Sequence, residues 1–386
     1  MKKSALFPIA VIAFVDVLAF AMVMPMLPFY AQDLGASPAQ VGALIATYAV
    51  FALFSAPVLG RASDRIGRKP ILLLSQGGSL LGYAMLALAP SLTWLFVGRA
   101  LDGLSAGNLL AARAYISDVT APKDRSAAFG LIAAAFGFGY LVGPASSALL
   151  SAWGHAVPLW TAAGLALLGL VFTLVLLPHT RPAPLAEPHV PARALFRFPG
   201  VGARLAQWFA FMIAFSLFTS GFAMFGERRF AWNGHPFGPI EVGVALAYLG
   251  VLGLVAQLGL LRFLIDRFGE SRVVHASLVL AAAGYALLAV ARDIPMLMLA
   301  LSLAGLGVSV LRPSLLGLIS HAVPPTRQGL VFGVTQSLQS VALIVAPLVA
   351  GGLIHVGWLG AWAMCCAGAL VAAWLMAPRR ALVAAS

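Results

Sequence analysis

The sequence predicts an all-α polytopic membrane protein made of two similar six-helix bundles, and three observations carry that prediction. Of 386 residues, 61% are hydrophobic and only 9% are charged, whereas soluble globular chains run at about 45–50% apolar and about 25% charged. Apolar runs of the length that crosses a hydrocarbon layer, about 20 residues each, fill most of the chain. A charged, glycine-bearing turn also occurs twice: Gly60-Arg61-Ala62-Ser63-Asp64-Arg65-Ile66-Gly67-Arg68-Lys69, and Arg262 through Asp266-Arg267-Phe268-Gly269-Glu270 to Arg272. The repeat extends further, since Ile116-Ser117, Pro122, Phe129-Gly130 and Pro144 recur as Ile319-Ser320, Pro325, Phe332-Gly333 and Pro347.

Twelve spans follow from reading apolar runs between Gly, Pro and charge clusters: 6–30, 39–59, 71–89, 93–116, 127–150, 157–177, 203–226, 240–262, 273–290, 295–317, 329–352 and 358–377. The expected organisation is a first bundle over 1–177, a linker rich in Pro and Arg over 178–202, and a second bundle over 203–386. The first span is too long for a signal peptide's apolar region and lacks a small-residue cleavage site, so it reads as a retained helix. It carries Asp16 about ten residues in, roughly 15 Å along the axis. An ionised carboxylate at that depth is costly unless it meets water or a partner, which makes Asp16 a proton-carrier candidate, with a structural ion pair as the other reading.

The turn after the second span places Arg61, Arg65, Arg68 and Lys69 at a lipid surface, with Asp64 opposing the positive end of the third helix and Gly67 permitting a tight turn. In the fourth span Arg99 and Asp102 share a face, and Arg113, about three turns on, projects from nearly the same side. A polar stripe of that kind is expensive against lipid. Asp102 either titrates or neutralises Arg99. The fifth span gathers Gly130, Gly137, Gly139 and Gly143 before Pro144, small residues that let helices approach and a proline that bends the axis. Pro347 with Gly351-Gly352 is the partial counterpart in the eleventh span.

The second half has fewer intramembrane charges. Glu241 lies at the start of the eighth span and Arg312 toward the end of the tenth, both placed to snorkel or cap. Gln257, Gln336 and Gln339 bring amides into apolar helices. Together with Asn108, Arg113, Tyr140, Arg312 and the aromatic residues Trp208, Phe211, Phe215 and Phe218, they are the candidates for a pocket that takes an amphiphilic organic molecule. Adjacent Cys365 and Cys366 supply neither a disulfide framework nor metal spacing.

Basic residues select the topology. With both termini inside, the inner turns carry Lys2, Lys3, Arg61, Arg65, Arg68, Lys69, Lys123, Arg125 and their second-half equivalents, while the outer loops carry only Arg228, Arg229 and Arg292. This positive-inside bias also accounts for the net charge of +12. Nucleic-acid binding is disfavoured because the charge is spread over short turns, and no phosphate-binding loop or soluble catalytic domain is present. The reading is therefore of a non-enzyme without cofactor or metal.

Residues 60–69 resemble the signature loop of the major facilitator superfamily. The resemblance covers nearly the whole chain, through Asp16 to Pro28, Leu59-Gly60 to Pro70, Gly98-Arg99 with Gly103, Tyr115 to Asp118, Phe136 to Pro144, and Phe225-Gly226-Glu227 with Arg229-Phe230. Within that superfamily the chain is similar to the twelve-helix drug:proton antiporters, tetracycline exporters among them. The resemblance implies the major facilitator fold and alternating access. It implies a gating network of Gly60, Arg61, Asp64, Arg65, Gly67, Arg68, Asp118 and Arg125, with Asp266 and Arg267 in the second half. A proton-coupling role for Asp16 and Arg99, and a contact and bend at Gly139, Gly143, Pro144 and Pro347, also follow from it; Asp102 and Arg113 depart from the tetracycline-type pattern, and Asp102 joins the coupling candidates only through its place beside Arg99.

Departures from the tetracycline pattern bear on substrate. Those exporters carry an acid in the third helix where Gly82 stands, a His in the eighth where Gly253 stands, and an acid in the ninth where Leu280-Ala281-Ala282-Ala283 is apolar. The expectation is a proton-driven exporter of hydrophobic or weakly cationic drug-like compounds, monomeric, in a bacterial inner membrane. A proton- or sodium-coupled importer of a sugar or other metabolite is the alternative.

Overall fold

The computed structural model describes residues 3–120, 125–178, 192–324 and 328–377. Among the described residues the regular structure is α-helical apart from a short 3-10 turn at Ala192–Arg197, a π-helical turn at Ala256–Leu260 and a β-hairpin of two-residue strands, Ala231–Trp232 with His235–Pro236. Asn233 and Gly234, both at positive φ, make the tight hairpin turn that those two residue types favour. Among the described residues nine helices are long and apolar enough to cross a membrane.

The first half contains α1 (Lys3–Asp33), α2 (Pro38–Ile66), α3 (Arg68–Ala87), α4 (Leu92–Leu104), α5 (Asn108–Val119), α6 (Arg125–Ser151) and α7 (Ala156–Leu176). The second contains α8 (Val201–Arg229), α9 (Pro239–Val255), a π-helical turn at Ala256–Leu260, α10 (Leu261–Phe268), α11 (Glu270–Val290), α12 (Ile294–His321), α13 (Gln328–His355) and α14 (Leu359–Leu375). Two compact units result, Met1–Glu187 with Gly238–Ala247, and Pro188–Phe237 with Tyr248–Ser386.

Three sequence expectations change here. The second helix does not stop at 59 but continues to Ile66, and the turn is Gly67 alone, at φ +100. Asp64 therefore closes α2 instead of opening α3, at the helix end where a negative charge is unfavourable by itself. Gly269, at φ +78, makes the equivalent one-residue turn between α10 and α11.

The fourth span is two helices. Around Ser105–Gly107 the backbone tightens, with Ser105 N–H donating to Leu101 and Asp102 carbonyls and Ala106 N–H to Gly103. Glycines make this break possible by bringing α3 close: a Cβ on Gly78 would lie 1.7 Å from Ser105 Oγ, and one on Gly107 2.5 Å from Ser75 Oγ. Gly103 lies similarly close to the Tyr48 carbonyl of α2, and Ser55 donates to the Gly103 carbonyl at 2.9 Å. The eighth span is likewise interrupted, by the π-helical turn, a rare feature often found at functional sites.

Packing of the first unit sets α1 against α6 and α7, and α3 against α4 and α7. Its core near the Gly67 turn is apolar, formed by Ile9, Ile12, Ile71, Leu72, Ala111, Tyr115 and Ile116. Gly139 and Gly143 serve the α1 contact, since a Cβ on either would lie 2.7 Å from Val17 Cγ1 or 2.5 Å from Ala21 Cβ. In the second unit an aromatic cluster packs α8, α11 and α14 together at the ends away from the Gly269 turn. Phe218 stacks on Tyr285 at 5.2 Å and Trp362 at 6.4 Å, and Trp362 lies 4.7 Å from Phe225 while donating to the Leu217 carbonyl. Phe218 is thus a core residue.

Candidate functional site

One face of α3 collects the two carboxylates of the first unit. Gln76 and Ser79 are three residues apart and share that face. The Gln76 amide reaches both oxygens of Asp16 at 3.4 Å, and Ser79 Oγ donates to Asp102 Oδ1 at 3.0 Å. Gly169 of α7 closes the Asp16 side, because a Cβ there would lie 3.0 Å from Asp16 Oδ1. Asp16, half-buried, is therefore directed to α3 and α7 within its own unit.

Asp102 is more enclosed. Its second oxygen accepts from Arg99 at 3.1 Å, with side chains 2% and 0% exposed, and the Arg99 guanidinium lies 4.6 Å from the centroid of the Tyr48 ring on α2. Buried charges persist only when paired or hydrogen-bonded, and this pair has a counter-charge, a hydroxyl and an aromatic face. Among the described residues Arg99 Nε and Nη2, and Gln76 Oε1, are buried without a hydrogen-bond partner, which leaves two N–H groups able to donate and one oxygen able to accept. Gly82 explains why no acid stands on α3 at this level. A Cβ there would lie 3.0 Å from Asp102 Cβ and 3.1 Å from the Gly98 carbonyl.

The sequence did not single out Gln76, Ser79 or Tyr48. The i, i+3 spacing of Gln76 and Ser79 in an apolar helix was the available signal. Arg113 lies on α5, a separate helix beyond the break at Ser105–Gly107. It is exposed. Asn108 begins α5, its Oδ1 buried and without a partner.

A second polar cluster forms at the Gly67 turn, and its hub is Arg68. The guanidinium binds Asp64 at 2.5 Å, Asp118 at 2.7 Å and Ser63 Oγ at 3.2 Å, which offsets the unfavourable place of Asp64 at the end of α2. Lys69 caps α7 by donating to the Leu174 carbonyl at 2.8 Å. Gly60 packs against Leu110, whereas Arg61 donates to the Pro57 carbonyl of its own helix and Arg65 is exposed. The side chains of Arg125 and Tyr140, and most of the expected linker, lie outside the described residues.

The second unit repeats the position with the signs exchanged. Glu270 stands first in α11 as Arg68 does in α3, and it meets His321, at the end of α12, at 3.2 Å. Asp266 pairs only loosely with Arg262 of the same helix at 3.6 Å, and Arg267 is exposed.

The remaining candidates divide. Trp208 and Phe211 are core residues, Trp208 donating to the Thr335 carbonyl, while Phe215 is half-buried and touches Arg312. Gln257 lies in the π-helical turn and is exposed. Gln336 and Gln339 are half-buried on α13, and Glu241 caps the start of α9 by accepting from Gly238 N–H. Pro144 and Pro347 both lie inside helices, α6 and α13. The Pro144 carbonyl would lie 2.9 Å from a Cβ on Gly243 of α9. No cluster of three or more His, Cys, Asp or Glu suited to a metal occurs among the described residues.

Comparison with known proteins agrees with this architecture. The family model described as "Major Facilitator Superfamily" matches residues 9–263 and 237–384. A class C tetracycline resistance protein of Escherichia coli is 33% identical over 86% of this chain and 85% of its own length. Multidrug resistance protein 2 of Bacillus subtilis is 25% identical over 88% and 86%. Among solved structures, the human organic anion transporter MFSD10 (TETRAN) superposes with a TM-score of 0.71 over 97% of this chain and 99% of that one, at 23% identity, a likeness of fold alone.

Proposed function

The chain belongs to the major facilitator superfamily, and we propose that it is a proton-coupled antiporter that exports small amphiphilic organic compounds by alternating access. In this reading it lies in a bacterial inner membrane with both termini in the cytoplasm, as the distribution of Lys and Arg favours. Resistance proteins for tetracycline, and a multidrug resistance protein, among its relatives support drug efflux. Superfamily members of this kind place their sites between helices near the midplane and alternate access by rocking.

The single observation that carries the coupling is the attachment of both intramembrane carboxylates to one face of α3. A proton delivered to Asp102 cancels the charge that Arg99 opposes and loosens α4 from α3. A proton on Asp16 acts on the contact of α1 with α3 through Gln76. Arginine does not release its proton at accessible pH, so the carboxylates carry the exchange while Arg99 and Tyr48 hold one of them in place. Arg68, between Asp64 and Asp118, acts in the same scheme as a cytoplasmic clasp.

The test is substrate-dependent proton movement in proteoliposomes under imposed pH and sodium gradients, repeated with Asp16→Asn and Asp102→Asn. Coupling to the pH gradient, abolished when both carboxylates are replaced, is the expected result. Proton flux unchanged in the double variant, or movement that follows sodium, would overturn it. Counterflow with a chemically varied panel separates export of drug-like compounds from uptake of a metabolite.

A further inference from the structure

A groove runs between α11 and α14 that the transport reading does not use. His275, Ala276, Val279, Leu280 and Ala283 of α11 and Trp374 of α14 line a space of about 460 Å³, apolar apart from the imidazole and the indole. The α11 residues follow one another at spacings of three and four, a single helix face. Arg272 lies one turn before Ala276 on that face and is exposed. The chief neighbours of the two helices, α8, α10, α12 and α13, contribute no residue to the groove.

Its depth points to what fills it. Helix α11 has 21 residues, about 31 Å of axis, against a hydrocarbon layer about 30 Å thick. The groove begins at His275 in the second turn and ends at Ala283, just past the helix midpoint, a run of about 12 Å. It therefore extends from one headgroup region to the midplane, the depth of a single leaflet's acyl chain. Trp374, one residue before the end of α14, stands at the headgroup end, where indoles concentrate. His275 Nδ1–H donates to the Ser271 carbonyl at 2.6 Å, which fixes the ring at the same end.

Charge there selects the headgroup. Arg262, Arg267 and Arg272 outnumber Asp266 and Glu270, and each acid already meets a basic side chain, Asp266 with Arg262 and Glu270 with His321. In the sequence, Arg379 and Arg380 follow the end of α14 at Leu375. A second copy docked here about a two-fold axis would set these like charges against one another. A negatively charged headgroup is attracted to them.

We infer that the groove binds an anionic glycerophospholipid of the leaflet on the Gly269 side, with one acyl chain along α11 against Trp374 and the phosphate at the Arg272 end. Basic sites between membrane helices suit such headgroups. A transported compound would instead be oriented by several placed polar groups, which this groove does not offer. The inference goes beyond the transport reading and holds whatever compound the chain moves.

The experiment places purified full-length protein in phosphatidylcholine bilayers that carry a rising fraction of phosphatidylglycerol or phosphatidylcholine brominated on the acyl chains, and reads tryptophan quenching. Subtracting the signal of Trp374→Phe isolates one of the eight tryptophans. Half-maximal quenching of Trp374 is expected at an about fivefold lower fraction of the anionic lipid, the advantage that about one basic side chain at the surface confers. Arg272→Gln should bring that preference below about twofold. Ala276→Phe, which fills the groove from its exposed wall, should lower Trp374 quenching by both lipids. Added salt should shrink the preference in the unaltered protein, a measurement that requires no variant to fold.

Equal quenching by the two lipids, a preference indifferent to salt and to Arg272→Gln, or no effect of Ala276→Phe would each overturn the inference. So would light scattering that shows a dimer split by Ala276→Phe, which gives the groove to a second copy, or quenching relieved by a drug-like dye, which gives it to a substrate. Equal quenching with substrate-driven proton movement intact would remove the lipid site and keep the exporter. A clear lipid preference with no compound moved would do the reverse.

Discussion

Replacing the buried pair on α4 one partner at a time is the sharpest test of how the first unit is held together. In Arg99→Leu, Asp102, 2% exposed, keeps only the Ser79 hydroxyl at 3.0 Å. Breaking a buried pair by removing one partner costs about 3–5 kcal/mol, and no solvent reaches this site to reduce it. In Asp102→Leu, Arg99 retains the Tyr48 ring at 4.6 Å, a contact worth up to about 2 kcal/mol when desolvated, so the loss falls near the lower end, about 3 kcal/mol. The double Leu variant leaves no uncompensated charge. Its main debt is the Ser79 hydroxyl, about 1–2 kcal/mol, so it is expected to be more stable than either single variant. Unfolding in mixed detergent and denaturing micelles, followed by tryptophan fluorescence, measures all four proteins under one condition. Losses that add, placing the double variant below both singles, would show that Arg99 and Asp102 do not stabilise each other and would refute the reasoning.

Other outcomes follow from the same geometry. Gly143→Ala pushes a methyl group to within 2.5 Å of Ala21 Cβ and should cost about 1–3 kcal/mol; Gly137→Ala, with nothing within 4 Å of its Cβ, is the near-neutral control in the same unfolding assay. Gly67→Ala and Gly269→Ala, at φ +100 and +78, should each lose about 1–3 kcal/mol through backbone strain, read as a lowered unfolding midpoint. Asp118→Asn should destabilise more than Asp64→Asn, by roughly 1 kcal/mol, because the Asp118 side chain is 18% exposed against 52%; an equal effect would mean that Arg68 favours neither partner. Asp64→Asn is expected to slow transport without reducing membrane insertion, measured by uptake in vesicles normalised to inserted protein.

Single residues show where sequence reading succeeded and where it stopped. Gly67 was legible because a charged turn with one glycine between two apolar runs admits few backbones. Asp102 was legible as a partner of Arg99 because both lie on one helix at i, i+3. Asp16 was legible as an anomaly, but its neighbours Gln76 and Gly169 come from helices 60 and more residues away, and nothing local marks them. The break at Ser105–Gly107 was missed because residues 93–116 are apolar enough for one span. That Gly139 and Gly143 pack closely on α1 was hidden for a related reason: a glycine in a membrane helix does not reveal what approaches it.

The amino-acid sequence alone determined that this chain crosses a membrane, that its two halves repeat, and that a charged turn with one glycine recurs in both. Those properties depend on apolar length and charge within a few residues, and the bilayer acts on them locally. Tertiary structure alone decided which helix faces meet. Lipid-facing and packed positions are both apolar, so membrane helices lack the polar stripe that orients a soluble helix, and Gln76, Ser79 and Tyr48 acquired their roles only when α2, α3 and α4 came together around two carboxylates.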